Sequence, residues 1–281
     1  MKLVAAALFG VLIVAQDQPP TAQDVRDQLN AYLTAYEPKL SELIADEQLV
    51  QRDVPLREGR PGSDAFLKRT LQSEVAFIAL PGDAGWLGFR RVLQLDTKPV
   101  DDALGSLNSV LVSGAKDDYA RARLMLTDSA RFNLGTPRTI NLPNLPLEVL
   151  QPRHAGRFTT RIAGSERIGG HHTIKLVLVE NVTPTIIRAF DGSQMRSIVS
   201  AFVEPGTGRL WKADVITRDP RPARVVFDHV VSVTFQEHRA LGLLVPAKMH
   251  EDFFAGPDRK AWGDATYVNY RRFQTSARIV Q

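Results

Sequence analysis

From about Gly156 onward the chain alternates apolar and polar side chains in one short segment after another, with turn-forming residues between them. Along Arg224 to His238, the residues Val225, Phe227, His229, Val231, Val233 and Phe235 fall on one side. Asp228, Ser232, Thr234, Gln236 and His238 fall on the other. A period of two puts one face of a strand into a core and leaves the other in water. Ile174, Leu176 and Leu178 alternate with Lys175 in the same way. Strands are expected at Arg157 to Arg167, Thr173 to Asn181, Met195 to Glu204, Arg209 to Arg218, Arg224 to His238, Leu243 to Asp252 and Asp264 to Ile279. The breaks, such as Gly169-Gly170, Pro205-Gly206-Thr207-Gly208 and Asp219-Pro220-Arg221-Pro222, preset turns or accept positive φ. Connections this short join antiparallel neighbours.

The first half mixes periods. Thr21 followed by Asp24 resembles a capping box, and Val25, Leu29, Leu33, Tyr36, Leu40, Leu43 and Ile44 recur at helical spacing. A long amphipathic helix is predicted there, kinked or split at Pro38. Arg57 to Asp64 reads as a loop. Val75 to Leu80 and Trp86 to Thr97 read as strands around the turn Pro81 to Gly85, with Leu87, Phe89, Leu93 and Leu95 on the face that also carries Arg91. Ser106 to Ser113 and Asp117 to Arg131 are helical stretches, the second with carboxylates at its start and a cation at its end. Arg138 to Leu150 carries Pro143 and Pro146 among aliphatics, and both a helix starting near a proline and an extended segment on an apolar surface fit it.

Together these elements predict a mainly β, α+β fold: a strongly curved antiparallel sheet or incomplete β-barrel, with the N-terminal helix and further helices covering its concave side. Such a sheet either fills its inside with side chains or leaves a ligand cavity, and periodicity does not choose between them. The residues expected to line the inside are Phe89, Leu93, Phe158, Leu176, Phe227, His229, Val231, Phe235 and Met249.

Lys2 and the apolar run Leu3 to Ala15, followed by Gln16 to Pro20, have a signal-peptide layout, with an uncleaved anchor as the competing reading. Cleavage after Ala15 leaves residues 16 to 281 as a single domain with no further membrane span, periplasmic or secreted. A chain without cysteine has no disulfide, and one of this length builds its core without one. Lys plus Arg exceed Asp plus Glu by only 35 to 31, and the arginines are dispersed, which reads as solvated strand faces rather than a nucleic-acid surface.

Catalytic and metal-binding patterns are missing from the text of the sequence. His171 and His172 are adjacent on a strand and point to opposite faces, which makes a poor chelate, and no His-Glu-x-x-His stretch occurs. No Gly-x-Ser-x-Gly turn and no phosphate-cradling glycine loop occurs either. The carboxylate pairs Asp101-Asp102, Asp117-Asp118 and Glu251-Asp252 read as solvated groups at turns, a helix start and a strand end. His229, between Phe227 and Val231 on the apolar face, is either a bonded core histidine or a polar contact or base inside a cavity. No enzyme, metal or cofactor is expected.

The strand Leu244-Val245-Pro246-Ala247-Lys248-Met249, followed by Gly263-Asp264-Ala265-Thr266-Tyr267 and Asn269-Tyr270-Arg271-Arg272-Phe273, resembles the periplasmic lipoprotein-carrier superfamily of the LolA and LolB type. The resemblance covers roughly residues 150 to 281 in pattern. It implies an incomplete β-barrel lidded by helices, with an apolar cavity that shelters acyl chains. The function expected is thus an exported, non-catalytic carrier or sensor for an acyl chain, a lipoprotein lipid or a similar apolar molecule, with an envelope protein or lipoprotein as a further partner. The alternative is a structural or protein-interaction module of the envelope with a packed interior. The carrier reading requires a hollow between sheet and helices.

Overall fold

A computed structural model describes residues 19–41, 43–57, 60–61, 67–79, 86–101, 124–135, 137–189, 192–218, 228–254 and 259–272. The signal-like segment, Ser106 to Ser113, the turn Pro81 to Gly85 and Phe227 lie outside the described residues.

The chain begins with helix α1, Ala22–Leu40, whose capping box is formed as the sequence predicts. Asp24 N donates to Thr21 Oγ1 at 3.2 Å, and Thr21 N donates to Asp24 Oδ2 at 2.9 Å. Pro38 sits in the last turn, where the missing donor costs little, and the helix stops two residues later at Ser41. The apolar stripe therefore does not run on as helix: Leu43 and Ile44 open a strand, β1, Leu43–Arg57. That strand was not legible because its inward positions, Leu43, Ala45, Glu47, Leu49, Gln51 and Asp53, include three polar residues. The two-residue β2, Arg60–Pro61, pairs β1. β3, Leu67–Ala79, is longer than expected, and β4, Trp86–Leu95, is followed by the short β5, Lys98–Pro99. Helix α2 spans residues 124–130, within the predicted Asp117 to Arg131 stretch. In the stretch with two prolines, α3, Leu145–Val149, has a proline in its first turn and follows an irregular run.

After a 3-10 turn at Pro152–Arg157, the predicted meander is present: β6 Phe158–Ile168, β7 His171–Glu180, the short β8 Ile187–Arg188, β9 Gln194–Val203, β10 Leu210–Arg218, β11 Asp228–His238, β12 Leu243–Phe254 and β13 Arg259–Arg272. The main order is β5-β4-β3-β1-β13-β12-β11-β10-β9-β7-β6, antiparallel throughout, with β1 joining the two halves through β13.

The sheet is curled. Helix α1 touches both β3 and β7, which stand seven strand spacings apart in the order. In a flat sheet that separation is roughly 34 Å, several times the width of a helix. Val25, Leu29, Leu33, Tyr36 and Leu40 of α1 are sealed inside the curl, and Tyr36 OH donates to Leu244 O of β12 at 2.7 Å. The path ends at β5 and β6 and does not close on itself. The β6 edge is exposed from Arg161 to Arg167 and carries charges and a bulge at Ile162/Gly164, devices that discourage another strand from adding there.

One face assignment differs from expectation. On β4 the inward residues are Arg90 and Val92, because Glu47 draws the Arg90 guanidinium inside. Phe89 consequently projects from the opposite face, where it packs with Ile44, Ala76, Ile78 and Met125. Leu93 is the unpaired residue of a bulge and is 39% exposed. Leu176, by contrast, is fully buried on the concave side. Leu176→Ala is expected to cost about 3 kcal/mol in urea unfolding, whereas Leu93→Ala stays within about 0.5 kcal/mol. Equal losses would contradict this assignment of faces.

Candidate functional site

Concave-face side chains line up in rows across the strands. One row runs Leu176, Ala201, Ala213, Val233, Met249, Ala265, Leu49 and Leu71, and it is apolar from β7 to β3. The next row begins with Leu178, Val199, Val215 and Val231 and then turns polar, continuing with Glu251, Gly263, Gln51 and Arg69. The row beyond it contains Ser197, Thr217, His229, Phe253, Ala261 and Asp53. The concave surface is therefore greasy over most of its area and polar along one end. Gly263 is required in the middle of this pattern. A Cβ there would stand 3.0 Å from Glu251 Oε1 and 3.1 Å from Leu49 Cδ1, between Gln51 and Glu251.

A single covering segment, residues 132–150, seats on both regions. Over the polar end, Arg138 grips Glu251 with Nε at 3.0 Å from Oε2 and Nη2 at 2.6 Å from Oε1. Its Nη1 donates to Leu134 O at 2.8 Å, so the guanidinium also fixes the shape of the segment. Gln51 Nε2 donates to Asn133 Oδ1 at 2.8 Å and to Glu251 Oε1 at 3.2 Å, and Leu134 N donates back to Gln51 Oε1 at 3.1 Å. Asn141 Nδ2 bonds Asn133 Oδ1 at 2.7 Å. Arg90, paired with Glu47 through two nitrogens, donates Nη2 to Asn141 O at 2.9 Å, and Arg69 Nη1 holds Phe132 O at 2.8 Å. Over the greasy end, Leu142, Leu145, Leu147, Val149 and Leu150 join the same apolar cluster as the concave rows and α1.

Burial alone would make Glu251 reluctant to ionise, but Arg138 and His229 outweigh it and hold the carboxyl well below the ordinary range. His229 Nε2 lies 3.5 Å from Glu251 Oε2. Burial dominates at the imidazole and pushes it below its usual value despite the nearby carboxylate, so the ring is neutral. His229 is 1% exposed and has no open cleft beside it, which makes it a core histidine rather than a base within reach of a substrate.

Phe158, Leu176, Val231, Phe235 and Met249 all lie in the concave cluster, whereas Phe89 and Leu93 lie on the other face and His229 lies in the polar band. Glu251 is a correction: it is not a solvated partner of Asp252 but fully buried, because Met249, Glu251 and Phe253 share the inward side of β12. Asp252, on the opposite side, meets Lys260 Nζ at 2.6 Å. Arg90 and Arg138 likewise are inside rather than on solvated faces. The period-two alternation through Met249 already carried the signal for Glu251. Nothing local in the sequence marks Arg138. The described concave residues also leave no hollow, since Leu176, Leu178, Val199, Val215 and Val231 have no exposed surface for a water molecule to touch. A cavity beside Arg90 and Met125 holds about 20 Å³, room for one water. Among the described residues no group of three or more His, Asp or Glu side chains is placed to hold a metal.

No family profile and no curated protein matches the chain. Solved structures do. An outer-membrane lipoprotein-sorting domain from Vibrio parahaemolyticus is 10% identical, with 92% of this chain and 94% of that one covered at a TM-score of 0.45. A LolA superfamily protein from Nitrosomonas europaea is 12% identical over 91% and 95% at 0.32. A DUF1329 family protein from Desulfovibrio piger is 11% identical over 92% and 96% at 0.38. The chain is similar to these structures. At this identity the likeness concerns the path of the chain alone, and the chemistry is drawn from the residues described above.

The unfolded chain takes up protons at His229 near pH 6.5 and at Glu251 near pH 4.5, and the folded protein resists both. Their contribution to stability is therefore complete above pH 6.5 and is lost as the pH falls, first through the histidine and then through the carboxylate. Thermal melts between pH 7.5 and 4 are expected to show a falling midpoint, with a shallower acid limb in Glu251→Gln. Superimposable limbs would remove Glu251 from this role.

Proposed function

We propose that the chain is an exported, non-catalytic carrier of an apolar molecule, with residues 132–150 as a displaceable cover on its binding surface. The supporting observation is how that cover is held. Among the described residues, its hydrogen bonds to the sheet all pass through side chains, and it shares no backbone ladder with any strand. Segments attached this way open at lower free energy than the ladder beneath them. Lifting the cover hydrates Arg138 and Glu251 together. A buried ion pair roughly breaks even against its hydrated partners, so the latch fixes the seat without locking it.

The exchange is balanced on the greasy side as well. An acyl chain that replaces Leu142, Leu145, Leu147 and Leu150 keeps concave residues such as Phe158, Leu176, Val231, Phe235 and Met249 out of water, at about 25 cal/mol for each Å². The run Leu3 to Ala15 supports export to the periplasm or beyond. A second reading, an envelope interaction module with a permanently packed core, is favoured by the sealed concave rows. Native mass spectrometry after gentle purification separates the two, because a carrier arrives with bound lipid and a packed module does not.

A disulfide tests the cover directly, since the chain has no cysteine of its own. A Cβ on Gly88 of β4 would run into the Asn144 side chain of the cover. Cysteines at both positions therefore fall within bridging reach, a Cβ separation of roughly 3.8 Å. Oxidised Gly88→Cys/Asn144→Cys is expected to lose uptake of a fluorescent fatty acid and to regain it on reduction. Equal uptake in both states would show that the segment is not the gate.

A further inference from the structure

Arg26 lies on the buried side of α1 and is 4% exposed, yet its Nε and Nη1 have no hydrogen-bond partner. Its Nη2 reaches only Leu150 O, at 3.4 Å, where the cover ends. Neighbouring Asp27 is exposed and accepts from Gln23 Nε2 at 2.9 Å. Other arginines of this corner have carboxylates. Arg153 Nη2 lies 2.7 Å from Glu148 Oε1, and Arg157 Nη2 lies 3.3 Å from Glu180 Oε1. Three arginines thus face two glutamates, and the uncompensated charge is the buried one. The excess is felt nearby: burial, then Arg153, Arg157 and Arg26, push His154 down to about 4.

A buried guanidinium without a counter-charge is costly, and buried donors without acceptors are rare enough to need a reason. Leu29 and Leu33 follow Arg26 on the same side of α1 and enter the apolar cluster, where Leu147 and Leu150 also pack. The corner therefore places one cationic fork at the end of a greasy track.

We propose that Arg26 anchors the head group of the carried molecule, an anionic amphiphile whose carboxylate or phosphate pairs with the guanidinium when Leu150 lifts, and whose tail lies along α1. This rests on the carrier reading above and narrows its ligand. The planar fork matches two oxygens of either anion, and the pair forms where little water competes.

Calorimetric titration of the full chain with dodecanoate, dodecyl phosphate and dodecanol, each kept below its aggregation limit, tests it. The wild type is expected to bind at least one of the two anions about tenfold tighter than the alcohol, and which of them it prefers identifies the head group. That ratio should fall to near one in Arg26→Met and persist in Arg161→Met, on the exposed β6 edge. Arg26→Met should also melt no lower than the wild type, because it removes an uncompensated buried charge. A merely structural arginine would instead lower the melting temperature and weaken all three probes alike, which overturns the proposal. Equal binding of anions and alcohol by the wild type, or an unchanged ratio in Arg26→Met and in a second variant, Arg26→Gln, also overturns it while leaving the carrier intact. Failure of the wild type to bind any probe removes the carrier reading itself.

Discussion

The curled sheet has ionised carboxylates inside it, and a buried charge must be neutralised on the spot. Glu47 and Glu251 are 3% and 0% exposed. Glu47 is answered within the sheet by Arg90, which turns β4 so that its arginine faces in and Phe89 faces out. Glu251 is answered from outside the sheet by Arg138, a residue of an irregular segment with no ladder of its own. One pairing sets the face of a strand and the other sets the seat of the cover. The arrangement of the interior follows from these two demands more than from any apolar contact, since a greasy row accepts many greasy partners whereas a carboxylate accepts few.

The meander after Gly156 was legible because its strands obey the simple rule, with apolar residues in and polar residues out, and because glycine and proline mark every turn. Helix α1 was legible through its capping box and stripe. The reading failed where polar residues point inward. In β1, Glu47, Gln51 and Asp53 occupy core positions, so alternation of polarity vanished and Leu43 and Ile44 were absorbed into the preceding helical stripe. In β4, choosing the face by its aromatic and aliphatic residues gave the opposite answer to the one that Glu47 imposes. Of the nine residues expected to line the interior, those on regular strands, such as Leu176, Val231 and Met249, fall where the alternation put them. Arg138 and Asn133 could not be found this way, because their role comes from partners more than a hundred and about eighty positions away in sequence.

Outside, the convex face solves a different problem. Asp46, Glu74, Arg91 and Arg271 form a chain of cross-strand ion pairs over β1, β3, β4 and β13, and His250 sits between Asp252 and Asp264 on β12 and β13. These groups are partly hydrated, so each pair contributes little to stability. What they supply is register. A slip of one residue would bring like charges together and carry Glu251 out and Asp252 in, so the outer ladder and the inner latch specify the same alignment.

The two ends of the cover are held unequally. Near Arg138 the segment is tied by a two-nitrogen ion pair, by Gln51 and Asn133 in both directions, and by Arg90 and Arg69 on its carbonyls. Near Leu150 the tie found is one long bond from an arginine that has more donors than acceptors. Lifting the Leu150 end gives up one weak bond and relieves an uncompensated charge, whereas lifting the Arg138 end dismantles a satisfied network. Thermal opening therefore begins at Leu150, next to the track formed by Leu29 and Leu33, and the Arg138 end serves as the hinge.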